Sequence, residues 1–277
     1  MVEQDGVAGL YVVSTPIGNM GDFSFRAVEV LKAVSVILAE DTRHSRHLLE
    51  RYEIRTPLSA YHEHNEAKAL PGLIARMQQG ESMALITDAG TPVVSDPGAR
   101  LVRGAIDAGI RVTPVPGASA VLAALVASGI PADRFTFLGF LPRKGRERRE
   151  ALDIIRELPH AAVLYEAPNR VADTLADIAG LGDPERAVAV ARELTKHFEE
   201  ISRGTVGDLA AYYKESPPRG EVVIILDGAR VRAATEESLR PQVAQLRAEG
   251  LSARDIVAAL VQDGASRNLA YRLAHEP

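Results

Sequence analysis

Short apolar runs rich in β-branched residues recur along the chain, at 10–13, 34–38, 83–87, 111–115, 135–140, 161–165, 187–191 and 222–226. Helix-like amphipathic stretches fill most of the gaps, at 25–33, 67–79, 98–108, 170–178 and 206–213. This rhythm predicts an α/β fold with largely parallel strands buried by helices.

The chain has 277 residues, a length that suits about two domains. The expected boundary is the turn sequence PVPG at 114–117, where a strand ends before an Ala-rich helix. That gives an N-terminal α/β domain over 1–116 and a second over 117–230. Past Asp227 the strands stop, and 236–248, 253–262 and 267–274 read as small helices. Residues 235–277 are therefore expected to form a helical extension.

Composition excludes several classes. With 46% hydrophobic and 25% charged residues the chain is an ordinary globular sequence, and no apolar run approaches the roughly 18 residues of a membrane helix. The N-terminal MVEQDGVAG lacks the basic and apolar regions of a signal peptide, so the expectation is a cytoplasmic protein without a membrane partner. Zero cysteines exclude thiolate chemistry and cysteine-ligated metal. A net charge of −5 argues against coating nucleic acid by bulk electrostatics, while leaving room for a local basic patch.

Several loops follow strands directly, where open α/β sheets bind ligands. STPIGNMGD (14–22) holds two glycines and a proline, and fits either a tight turn capped by Asp22 or a ligand loop matching no dinucleotide or P-loop fingerprint. DAGTPVVSDPG (88–98) crowds turn-formers after an apolar run: a shaped ligand loop, or one whose Ser95 or Asp96 simply caps the next helix. PGASA (116–120) has the same placement.

AEDTRHSRH (39–47) puts Glu40 and Asp41 at a strand end. Asp41 fits a proton acceptor or a helix cap, and Arg43 a phosphate fork or a solvated face. YHEHNE (61–66) gathers His62, Glu63, His64 and Asn65, which suit polar contacts or capping better than a metal, and no metal is expected. PRKGRERR (142–149) is a basic cluster in an acidic protein, readable as a solvated helix face or a phosphate-backbone contact. YEAPNR (165–170) and RELTKHFE (192–199) carry charged groups off strand ends, for a site or for salt bridges between the two.

Taken together and in this order, TPIGNMGD, AEDTRHS, YHEHNE, DAGTPVVSDPG, VPGASA, GFLPRKG, YEAPNRV and RELTKHFEE resemble the signatures of the tetrapyrrole methylase superfamily, and within it the ribosomal RNA small subunit methyltransferase I family. The resemblance spans residues 9–226. It implies a two-domain fold with S-adenosylmethionine in the cleft between the domains, and methyl transfer to the ribose 2′-oxygen of a cytidine in the decoding region of 16S rRNA. It also implies a homodimer acting on the small ribosomal subunit.

By the same resemblance Pro16, Ile17 and Gly18 border the cleft. Gly90, Thr91, Val94, Ser95 and Asp96 form part of the cofactor cradle, with Thr91 where relatives carry an aspartate. Ser119, Ala120 and Tyr165 complete it. Candidates for a base or orienting acceptor are Asp41, then His62, then Glu166. Charge and loop placement nominate Arg43, Arg143, Lys144 and Arg146 for RNA phosphates. Two other readings stay open: methylation of a tetrapyrrole carbon, and a non-catalytic RNA-binding or assembly module.

Overall fold

The computed structural model describes residues 8–229, 236–262 and 265–276. The expected boundaries at residues 230 and 235, and the chain ends 1 and 277, lie outside them.

The first sheet has β1 (Gly9–Val13), β2 (Val36–Ala39), β3 (Leu58–Ala60), β4 (Ser82–Ile86) and β5 (Val112–Val115) in the order β3-β2-β4-β1-β5. Every neighbouring pair is parallel. The crossovers carry α1 (Phe25–Ala33), α2 (Thr42–Arg51), α3 (Glu66–Gln78) and α4 (Ala99–Asp107), which cover both faces. Burial on two faces explains why β2 and β4 are buried at every position and read as continuous apolar runs. One face packs Val13, Leu31, Ile37 and Ile86; the other packs Leu10, Leu38, Met83 and Leu101.

The second sheet has β6 (Phe135–Phe140), β7 (Ala161–Glu166), β8 (Ala187–Arg192), β9 (Glu200–Thr205) and β10 (Val222–Leu226), in the order β6-β7-β10-β8-β9. Here the expectation of largely parallel strands is corrected: only β6–β7 is parallel, and β10 runs antiparallel to both β7 and β8, as β8 does to β9. Residues 193–199 between β8 and β9 are too few for a parallel crossover, so those strands must reverse. Helices α6 (Arg146–Glu157), α7 (Val171–Ala179) and α8 (Val206–Glu215) accompany this sheet, and α5 (Ala120–Ser128) packs on its β8 and β10.

Helices α9 (Glu236–Ala248), α10 (Ala253–Gln262) and α11 (Arg267–His275) share a small core of their own, built on Leu239, Val243, Ile256, Leu260 and Leu273. The helix starts follow local chemistry. Ser24, not Asp22, caps α1, and Asn19 caps the short 3-10 turn before it. Helix α4 begins at Gly98 without a side-chain cap, which frees Ser95 and Asp96 from that duty.

Candidate functional site

The loops that leave β1, β4 and β5 at their C-terminal ends are tied to one another. Thr15 and Gly90 exchange backbone hydrogen bonds of 2.8 and 3.1 Å, forming an isolated antiparallel bridge. The Thr15 hydroxyl donates to the carbonyl of Thr87 at 3.1 Å. Thr91 is 3.1 Å from the hydroxyl of Ser14 and donates to the carbonyl of Ala118 at 3.2 Å, which links all three loops. With its hydroxyl so engaged, Thr91 locks the loops together.

The turn-formers of 88–98 now have a reason. Backbone φ is positive at Gly90 (83°), Val93 (76°), Ser95 (65°) and Gly98 (125°). A β-branched residue in that region is strained, and such strain persists only where surrounding contacts impose it. At Gly98 a Cβ would lie 2.5 Å from Leu85 Cδ2, so the loop must also press onto β4.

These loops face the second sheet across a cavity of about 470 Å³. Ile17, Gly90, Thr91, Val94, Ser95, Asp96, Ser119, Ala120 and Tyr165 all line it, so nearly the whole set singled out for a cofactor converges on one space. Pro16 and Gly18, on either side of Ile17, are not among its lining residues. A Cβ on Gly18 would fall 2.5 Å from Lys196 Cγ, and the amide of the next residue, Asn19, donates to Thr195 Oγ1 at 3.0 Å. The β1 loop therefore reaches across to the β8–β9 connection. Ser119 accepts from the amide of Leu122 as the cap of α5, and Tyr165 packs edge-on to Phe137 at 5.0 Å between ring centroids.

Among the described residues, the lining contains the carboxylates Glu40, Asp88, Asp96, Glu166 and Glu221, and no Lys, Arg or His. Burial pushes the Asp96 carboxyl upward, Thr87 opposes it, and the charge of Asp88 adds a smaller upward push. Burial first, then Asp88 and Asp96, raises Glu40. Burial raises the Tyr165 phenol, with Asp96 and Glu221 adding to it.

The three acid–base candidates fare differently. Asp41 does not line the cavity: its carboxylate caps α2, accepting from the amides of Arg43 (2.8 Å) and His44 (3.4 Å), and these bonds hold it below the usual range. His62 lies outside the lining, but its charge is felt at Glu40. Asn65 stands at the N-cap position of α3, but its side chain makes no cap bond and instead accepts from the His62 amide at 2.9 Å and donates to Ala60. Glu166 does line the cavity but is fully engaged, accepting from Thr174 Oγ1 (2.6 Å) and the Ala167 amide (2.8 Å), with Arg170 Nε at 3.3 Å.

The ion pairs off β7 and β8 form within each segment or with near neighbours: Glu166–Arg170, Arg192–Glu200, and Lys196 with Glu193 and Glu221. Arg170 donates to the carbonyl of Leu141 at 2.9 Å, and Arg148 to that of Pro142 at 3.0 Å. Arg148 thus belongs to the framework, paired also with Asp177 at 2.6 Å. Arg143 and Lys144 are exposed and have no ion-pair partner among the described residues. Arg146 pairs with Glu150, and Arg43 stands almost fully exposed, 3.8 Å from Asp41. Among the described residues, no group of three or more His, Cys, Asp or Glu is arranged for a metal ion.

Glu40 is the residue the sequence left unranked. Its place at a strand end was legible, but which of two adjacent carboxylates faces the cleft depends on which one the helix takes as its cap.

The Tetrapyrrole (Corrin/Porphyrin) Methylases model matches residues 9–210. The ribosomal RNA small subunit methyltransferase I of Mesorhizobium japonicum is 46% identical over 264 residues, covering 95% of this chain and 90% of the relative. Its namesake from Escherichia coli O157:H7 is 44% identical over 273 residues, covering 96% and 94%. Among solved structures, diphthine synthase superposes with a TM-score of 0.62 at 13% identity, covering 79% of this chain and 89% of its own. Uroporphyrin-III C-methyltransferase from Thermus thermophilus, complexed with S-adenosylhomocysteine, gives 0.56 at 18%, covering 79% and 97%. The solved structures speak for the fold, and the sequence relatives carry the assignment: this chain belongs to the tetrapyrrole methylase family and, within it, to the ribosomal RNA small subunit methyltransferase I family.

Proposed function

We propose that the protein transfers a methyl group from S-adenosylmethionine to the ribose 2′-oxygen of a cytidine in the decoding region of 16S rRNA within the small ribosomal subunit. The observation that carries this reading is the lining of the cleft. A space with five carboxylates and, among the described residues, no cationic side chain suits a ligand that is itself cationic and rich in hydroxyl and amino groups. Its volume falls in the range of roughly 300–1,000 Å³ usual for small-molecule sites.

When bound, S-adenosylmethionine supplies an activated methyl group on a sulfonium, so the chain's task is alignment and proton acceptance. Ile17 and Val94 offer apolar contact, Tyr165 an aromatic wall, and the strained 90–96 backbone a cradle; Pro16 and Gly18 hold Ile17 in the β1 loop. Arg43, Arg143, Lys144 and Arg146 lie outside the acidic cavity, and we assign them to RNA phosphates, with Arg143 and Lys144 foremost because they are unpaired. We read the chain as two α/β domains, 1–116 and 117–230, with the cofactor between them and a helical extension over 235–277. We further read it as a cytoplasmic homodimer, for which the exposed Leu122 and Val126 on α5 offer an apolar face.

The test is methyl transfer from labelled S-adenosylmethionine to small subunits lacking their native methylations, with the product nucleotide mapped and a precursor tetrapyrrole assayed beside them. Label on a ribose 2′-oxygen in the decoding region supports the reading. Label on the tetrapyrrole alone moves the protein to the sister activity, and cofactor binding without transfer to either overturns the enzyme reading in favour of an assembly role.

A further inference from the structure

We propose that Glu40 is the catalytic base that accepts the proton of the ribose 2′-hydroxyl, an inference that rests on the methyl-transfer reading above. Glu40 follows the last residue of β2 and lines the cleft. Four of the carboxylates around it are committed to structure. Asp41 caps α2, Asp88 Oδ1 accepts from the Asp41 amide at 3.2 Å, Glu166 is held by Thr174, Ala167 and Arg170, and Glu221 accepts from Lys196. The Glu40 carboxylate has no hydrogen-bond or ion-pair partner among the described residues. Glu40 and Asp96 are therefore the lining carboxylates without a structural partner; the Thr87 hydroxyl favours the ionised form of Asp96, which weakens it as a base, and Glu40 has no such donor.

Its surroundings also suit the task. Asp88 and Asp96 face it from the loop after β4, Asp41 from the start of α2, and His62 from the loop after β3. Partial burial and the three acidic neighbours disfavour its ionised form, and His62 opposes them to a smaller extent. A carboxylate whose proton affinity is raised is a stronger base, and Brønsted behaviour rewards that when the proton moves in the transition state.

In the step itself, an electron pair of the 2′-oxygen forms the O–CH3 bond as the C–S bond breaks, and that bond's pair stays on a sulfur that becomes a neutral thioether. The 2′-hydroxyl proton passes to a Glu40 oxygen and later leaves to water.

The test compares wild type with Glu40→Gln and Glu40→Asp in single-turnover methylation of undermethylated small subunits across pH. Calorimetric binding of S-adenosylhomocysteine is measured on each protein, and the product nucleotide is mapped. Glu40→Gln is expected to slow transfer about 100-fold or more. It should bind S-adenosylhomocysteine within about threefold of wild type and lose the acid limb of the pH–rate profile. Glu40→Asp should restore part of the rate and keep the limb. The proposal fails if Glu40→Gln transfers within about threefold of wild type, keeps the acid limb, or loses S-adenosylhomocysteine binding in step with rate. Wild type that labels no ribose 2′-oxygen sinks the functional reading itself. Wild type that labels one while Glu40→Gln matches it sinks only the assignment of the base.

Discussion

Thr15 and Gly90 lie in loops that leave two parallel neighbouring strands, yet they bond to each other as an antiparallel pair. The reversal needs Gly90 at φ 83°, and a Cβ there would meet Ile17 Cγ2 at 3.3 Å. Gly90→Ala is therefore expected to lower stability by about 1–2 kcal/mol and to weaken S-adenosylhomocysteine binding more than RNA binding. Urea melts and calorimetry on the variant check both.

Asp41 separates capping from chemistry. Asp41→Asn retains a capping oxygen and should transfer methyl groups near the wild-type rate, whereas Asp41→Ala should melt a few degrees lower. Because the folded carboxyl is held down, its stabilisation is present above the ordinary carboxylate value of 3.8 and fades as pH falls through the depressed value. Melting curves from pH 3 to pH 7 should show wild type and Asp41→Ala converging at the acid end.

Glu40 has the opposite sign. Its raised carboxyl favours the protonated form in the folded protein, so ionisation is a liability that grows as pH rises through the raised value. Glu40→Gln should melt at the same temperature as wild type below pH 4 and about 1–3 °C higher at pH 7.

Glu166 joins β7 to the basic loop through Arg170, whose guanidinium holds the Leu141 carbonyl. Glu166→Ala strands a partly buried Arg170 and a buried Thr174 hydroxyl, and should cost about 2–3 kcal/mol. In the milder Glu166→Gln, affinity for small subunits should fall while S-adenosylhomocysteine binding is retained, because the disturbed segment carries Arg143 and Lys144.

Arg143→Ala and Lys144→Ala remove exposed, unpaired cations. Each should weaken binding to the small subunit and reduce the slope of log affinity against log salt by about 1. Filter binding at several salt concentrations checks this, and melting temperature should not move.

The strand and helix rhythm was legible because buried parallel strands leave unbroken apolar runs such as those of β2 and β4. Strand β3, with the three residues LSA and little burial, carries no such signal, and edge strand β9, EISRGT, is too polar to show one. Strand direction in the second half was hidden because apolar periodicity does not encode it, although the short 193–199 connection did. At the site, motif order brought the lining residues together on paper. That Asp41 caps α2 while Glu40 lines the cleft was not legible, since it turns on backbone dihedrals at the start of α2.

The cross-ties of the β1 loop have a thermodynamic consequence. Thr15 is bridged to Gly90, Gly18 is pressed on Lys196, and Gly117 lies so close to Ser14 that a Cβ there would fall 2.8 Å from Ser14 Cβ. A cradle fixed at so many points is ordered before anything enters it, so ligand affinity is not diminished by the entropy of arranging the loops. Its binding heat capacity should then reflect the apolar surface covered by the ligand alone, with no added contribution from coupled folding.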